Sequence, residues 1–266
     1  QKPDGWLALS GLVWLEPGDN SVGSASDNKV RLPASGPAHV GILQVEGSTV
    51  SLRPPAGAGG FPEGLQIDGR PAQAQELHTR PDNDIGNPRM TSGSLNFYVV
   101  KRGERFGLRI KDAKAPTLVG FHGLKWYPPN EHYRVTAKWI PYNPQKTISL
   151  ATLIGTTYSA PAPGAAEFQL DGKSYRLEPV TDDDNPGQLF FILKDSTSAT
   201  TTYGACRFLY TALPPGGLDK PGELVLDFNH LENPPCAYTP FATCPLPPPG
   251  NRLAIGLPVG ELRYHK

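Results

Sequence analysis

The chain has 266 residues, with Lys+Arg and Asp+Glu balanced at 25 each, and neither sign runs in a block. That balance argues against the basic excess of a nucleic-acid or anionic-membrane surface. Its longest apolar runs, such as LNFYVV and LFFIL, fall far short of the ~18–20 residues that cross a bilayer. Glycine (29) and proline (30) together exceed a fifth of the sequence, which disfavours helix and suits short strands joined by turns.

The chain begins with Gln1 and shows no basic segment leading into an apolar run. We therefore expect a mature secreted or periplasmic protein whose export signal has been removed. Residues 1–29 are read as an N-terminal segment. HVGILQVEGSTVSLRP alternates apolar and polar residues around Glu46–Gly47–Ser48, a hairpin pattern. SLNFYVVKRGERFGLRIKD repeats it around Lys101–Glu104. YRVTAKWIPY, KTISLATLIGTTY, FQLDGKSYRLEPV and GELVLDFN continue the strand signal, with Asp171–Gly172 a strong two-residue turn. No window offers four clean helical turns.

An internal echo runs through the chain. QIDGRPAQAQELHT resembles QLDGKSYRLEPVT. An acidic turn follows each, then an apolar strand (GSLNFYVVK, GQLFFILK), then an Arg-Phe strand (ERFGLRI, CRFLYTA). The predicted fold is all-β with few short helices, in two related β-modules of sandwich or barrel-like form at 30–132 and 133–215. A Pro-rich C-terminal clasp, 216–266, packs back on the body; one continuous domain would carry the same pattern.

Chemistry-bearing residues cluster late in the chain. Cys236 and Cys244 lie in NPPCAYTPFATCPLPPPGNRL. As a disulfide they would close a short loop, contributing about 2–3 kcal/mol. As thiols, either could act as a nucleophile with His230 or His122 as base. Zinc does not suit this spacing. Cys206, within the strand-like ACRFLY, reads as a small buried hydrophobe or as a sulfur paired elsewhere.

Trp126 and Tyr127, in FHGLKWYPPNEHY, could form a platform for a glycan or small molecule, or could pack beneath a proline turn with Trp139. An inward Arg207 needs a carboxylate partner, for which Asp195, Asp227 and Glu104 are available. Arg207, Asp227, Asn229 and Asn233 form the first polar cluster to test as a ligand or partner contact. The acidic turns Asp82–Asn83–Asp84 and Asp182–Asp183–Asp184 lack the spacing of a calcium loop. Neither a Gly-x-Ser-x-Gly elbow nor a Gly-rich phosphate loop occurs, and we expect no metal and no cofactor.

GWLALSGLVWLEPGDNSVG (5–23), GSLNFYVVKRGERFGLRIKD (93–112), FHGLKWYPPNEHYRVTAKW (121–139), TYGACRFLY (202–210), LVLDFNHLENPPCAYTPFATCPLPPPGNRL (224–253) and VGELRYH (259–265) together resemble the family known as domain of unknown function 1684. The resemblance implies no activity. It places Cys236 and Cys244 in a shared signature and leaves Cys206 as local to this chain. Low net charge, the absent catalytic elbow, many edge-capable strands and an unpaired Cys206 lead us to expect a secreted β-rich protein acting by binding or extracellular assembly, its partner either another copy or an extracellular glycan or small molecule. The alternatives are a thiol- or carboxylate-dependent hydrolase and a glycan-binding module.

Overall fold

The computed structural model describes residues 2, 4–80, 84–181 and 185–264. It is all-β: seventeen strands, single 3-10 turns and one turn of α-helix, α1 (Pro116–Val119), among the described residues. The chain separates into two compact units. Unit 1 comprises residues 1–121 with 239–242, and unit 2 comprises 122–238 with 243–266. Residues 1–29 thus fold inside unit 1, the division falls between Phe121 and His122, and the C-terminal clasp contributes to both units.

Unit 1 contains β1 (Leu9–Trp14), β2 (Gly18–Gly23), β3 (Val30–Arg31), β4 (Gly41–Glu46), β5 (Thr49–Arg53), β6 (Gln66–Ile67), β7 (Arg70–Pro71), β8 (Gln75–Glu76), β9 (Met90–Ser92), β10 (Leu95–Arg102) and β11 (Arg105–Asp112). They form a six-stranded sheet, β1-β11-β10-β9-β6-β7, and a five-stranded sheet, β3-β2-β4-β5-β8. One apolar cluster draws on both sheets, with Leu43, Val50 and Leu52 from the second and Phe97, Val99 and Leu108 from the first. Strand β10 is buried along most of its length on both faces, which is why LNFYVV reads as a run and not an alternation. Buried Arg109 on β11 pairs with Asp84, which also binds Arg102 at 2.9 Å.

Unit 2 contains β12 (Arg134–Ala151), β13 (Thr157–Leu170), β14 (Lys173–Leu177), β15 (Gln188–Leu193), β16 (Arg207–Ala212) and β17 (Gly222–Asp227). Four make a sheet in the order β14-β13-β12-β17, and β15 pairs with β16. Trp139, Phe168, Phe191, Leu209 and Leu226 build its core, which Leu253, Leu257 and Val259 of the clasp complete. Trp139 is fully buried and donates its indole N–H to Leu218 O at 3.0 Å. Gly164 makes room for it: a Cβ there would lie 2.5 Å from the indole ring.

The echo is real at its turns. Asp68–Gly69 and Asp171–Gly172 both take positive φ at both positions, 50° and 76° against 52° and 72°, as a type I′ hairpin turn requires. Beyond the turns the strand orders diverge. In unit 1, β6 of the hairpin pairs with β9, whereas in unit 2, β13 pairs with β12. Of the acidic turns, Asp82, Asn83 and Asp182–Asp184 lie outside the described residues, and Asp84 is held by arginines.

Candidate functional site

Four polar clusters and an open groove lie within unit 2, and most of the sequence-predicted residues distribute among them.

The first centre is buried. Arg207, on β16, and Asp195 both have fully enclosed side chains and meet at 2.5 Å. The guanidinium also donates to Val259 O at 2.6 Å and Leu257 O at 2.9 Å. Asp195 Oδ1 accepts from Thr197 N, Thr197 Oγ1 and Leu257 N. Burial pulls the Arg207 pKa down and Asp195 opposes the shift. This pair ties the clasp to β16.

The second centre is Glu261, 1% exposed. Tyr238 OH donates to its Oε1 and Asn233 N to its Oε2, both at 2.5 Å. Asn233 Nδ2 donates onward to Leu262 O at 2.8 Å. Burial raises the Glu261 pKa, and the Tyr238 and Asn233 bonds recover part of the shift. Residues 125–127 run antiparallel to 260–262, so Trp126 bridges Glu261, yet Trp126 itself stays 46% exposed. Tyr127 is half-buried, and its amide donates to Gly260 O.

The third centre gathers all three cysteines. Cys236 sits on the 3-10 turn Pro235–Ala237, and its amide donates to Cys244 Sγ at 3.3 Å. Tyr203 OH donates to Cys236 O at 3.0 Å, and Cys206 Sγ donates to Pro245 O at 3.5 Å. All three stand as thiols, with Cys206 and Cys244 buried and Cys236 half-buried. The hydrogen bond from Cys244 lowers the Cys236 pKa, against the effect of burial, and Tyr203 adds to the lowering. The same bond, and then burial, push Cys244 up. Burial raises Cys206, and the nearby Cys236 charge adds to it.

Asp227 and Asn229 do come together. Asn229 Nδ2 donates to Asp227 Oδ1 at 2.8 Å and to Asn130 O at 3.0 Å, and Arg134 and His230 approach Asp227 at 3.6 and 3.7 Å. Arg207 and Asn233 belong to the first and second centres. His122 is exposed, and the groups that shift Cys236 are Cys244, Tyr203 and its own backbone, with no imidazole among them.

An open groove of about 1170 Å³ crosses the four-stranded sheet. Its floor carries a ladder that no single segment of sequence reveals. Arg176 on β14 pairs with Glu167 on β13, Glu167 with Lys138 on β12, and Lys138 with Glu223 on β17. Charge therefore alternates across the whole sheet. Arg176 reaches Glu167 at 2.8 Å and donates to Tyr142 OH at 2.8 Å. Gln169, Ser174 and Thr136 line the same groove, whereas Tyr175 turns its ring to the core and stacks on Phe168. Sequence reasoning missed Glu261, Tyr238, Tyr203 and this ladder; strand alternation marked the ladder residues as outward, but only the register aligns them.

The family described as "Protein of unknown function (DUF1684)" matches residues 119–262, more than half of the chain, and the chain belongs to it. The match spans nearly all of unit 2; segments 5–23 and 93–112 lie outside it. Among curated proteins none matches. A solved structure, the solution NMR structure of an uncharacterised protein of Haloarcula marismortui, is similar at 30% identity over 54% of this chain and 78% of that one, with a TM-score of 0.45.

Proposed function

We propose that this member of the family is a binding protein working outside the cytoplasm, which holds a neutral, extended polar chain, an oligosaccharide, along the groove of unit 2. The observation that carries the reading is the Arg176–Glu167–Lys138–Glu223 ladder. Strands lie about 4.8 Å apart, so the ladder presents donors and acceptors at roughly the repeat of a sugar chain. Its charges cancel, so it favours neither a polyanion nor a polycation, in keeping with the zero net charge of the chain.

In the same reading a Cys236–Cys244 bond, formed in an oxidising compartment, staples the clasp. Hydrolysis by a Cys–His pair gains no support, since His230 lies against Asp227. Exposed Trp126 pairs with Glu261 and is not among the residues that line the groove.

The test is a titration of neutral oligosaccharides followed by calorimetry and saturation-transfer NMR. Binding is expected, and Lys138→Ala with Arg176→Ala should weaken it at least ~10-fold, as loss of central polar contacts does. A panel that fails to bind, or binding untouched by the double variant, would reject the reading.

A further inference from the structure

The three cysteines fall within residues 206–244, yet each is placed differently with respect to solvent. Cys206 has no exposed surface and Cys244 has 5%, while Cys236 is half-buried. Cys244 is fixed from several sides. Its carbonyl accepts from Leu153 N at 3.1 Å, and the next residues pair with the end of β12 through Thr152–Pro245 and through Leu246 N to Ala151 O. Cys236 is held by Tyr203 and by its own amide bond to the Cys244 sulfur. Of the three, Cys236 is thus the residue nearest to solvent, with the Cys244 sulfur 3.3 Å from its amide.

We propose that Cys236 and Cys244 form a reversible dithiol–disulfide pair, in which Cys236 attacks an external low-molecular-weight disulfide and Cys244 resolves the product. The inference shares the staple with the preceding reading but not the groove, and it goes further by making the staple exchangeable.

The steps balance. The Cys236 thiolate displaces RS⁻ from RS–SR, forming Cys236–S–SR. Cys244 sulfur then attacks Cys236 sulfur, its proton passes to the departing RS⁻, and the internal bond forms. Two protein thiols are oxidised and one RS–SR is reduced to two RSH. Excess RSH reverses both steps, entering again at the half-buried Cys236.

The surroundings favour that order. Attack requires a thiolate, and Cys236, whose amide lies 3.3 Å from the Cys244 sulfur, is the cysteine of this pair whose pKa is lowered, chiefly by Cys244. Cys244 is shielded and raised, so it reacts with its neighbour in preference to outside reagents. Cys206 is more enclosed still, with Lys194 the cation that acts on it, and stays a thiol as a built-in reference.

The experiment treats the reduced full chain with bis(2-hydroxyethyl) disulfide and follows it by intact and peptide mass spectrometry. The wild type should lose two hydrogens and carry a Cys236–Cys244 crosslink. Cys244→Ser should instead trap the mercaptoethanol adduct on Cys236, and Cys236→Ser should leave Cys244 unmodified. Pulse alkylation of native wild type with N-ethylmaleimide should label Cys236 at least ~10-fold faster than Cys206, as a half-buried thiol of lowered pKa and a buried thiol of raised pKa differ. This arm needs no variant. Equal labelling of the two, an adduct that persists on wild-type Cys236, or modification of Cys244 in Cys236→Ser would overturn the proposal. A crosslink that excess mercaptoethanol fails to open in the folded protein would leave a permanent staple and defeat reversibility, with groove binding unaffected.

Discussion

Arg207 and Asp195 face each other at 2.5 Å with both side chains fully enclosed, twelve residues apart in sequence and joined to the clasp by two carbonyls and an amide. Removing one member of such a pair leaves a charge without compensation in a low-dielectric site. Asp195→Ala should therefore cost about 3–5 kcal/mol, and it also strands the donors of Thr197 and Leu257. The double change Arg207→Met with Asp195→Asn removes the charge while keeping an acceptor for Thr197 and Leu257. It should cost less than Asp195→Ala alone. Urea denaturation of the three proteins decides this; a cost below about 1 kcal/mol for Asp195→Ala would show that the pair does not anchor the clasp.

Glu261 gives stability a pH dependence whose sign follows from its surroundings. Burial, the dominant cause, raises its pKa, so the folded state holds this proton more tightly than the unfolded chain does. Its contribution is full at pH values below the ordinary carboxyl range. It then declines as pH climbs towards the raised folded value and is level above that. Glu261→Gln has no such proton. The stability of the variant relative to wild type should thus improve with rising pH, by about 1.4 kcal/mol for every tenfold by which folding tightens the proton, and then level off. Urea midpoints taken from pH 4 to 8 would show it, and a difference that is flat or falls with pH would rule it out.

Much of the fold is legible in local chemistry. Alternation, Gly47, Gly103 and the two Asp-Gly turns mark hairpins without tertiary information, because each needs only a strand period and a positive φ. The paucity of helix follows from the same glycine and proline content. Arg207 illustrates the limit. Its need for a carboxylate is readable, and Asp195 is among the candidates, but Asp227 is no less plausible from sequence and instead holds Asn229. Glu261 is harder still: in VGELRYH a single Glu reads as solvated, and only the backbone pairing with residues 125–127 encloses it. The ladder is hidden for a related reason. Strand register alone brings its members together, as with Lys138, whose partners Glu167 and Glu223 lie 29 and 85 residues further along the chain.

Gly260 sets how closely the last residues of the clasp pack on the turn after β17. It adopts φ 78°, and a Cβ there would stand 2.5 Å from Leu231 O, the carbonyl that accepts from Glu261 N at 2.8 Å. Gly260→Ala is strained in both conformation and space, so it should destabilise by more than the ~1 kcal/mol typical of a left-handed glycine alone. Gly222, at the start of β17, meets nothing within 4 Å at the same position and has no left-handed φ, making Gly222→Ala the control expected within about 0.5 kcal/mol of wild type. Thermal melts compare them directly. Equal melting temperatures would mean that the clasp does not depend on this approach.

The charge ladder offers a way to separate stability from binding. Lys138 stands between Glu167 and Glu223, so Lys138→Glu places three carboxylates side by side across β13, β12 and β17. Opposed like charges on neighbouring strands are unfavourable, but these side chains are exposed or half-exposed, and the cost should stay near ~1 kcal/mol and shrink in high salt. Adding Glu167→Lys restores alternation between β13 and β12 but sets the new lysine against Arg176, so rescue should be partial. Adding Arg176→Glu as well rebuilds a fully opposed row across β14, β13 and β12, and stability should return further. If the groove reads its ligand by hydrogen bonding and not by net charge, neither rebuilt row recovers wild-type affinity even where stability recovers, because donors and acceptors have exchanged places. Parallel urea melts and oligosaccharide titrations at low and high salt would show the split. Affinity that tracks stability through the series would mean that the ladder serves only to hold the sheet.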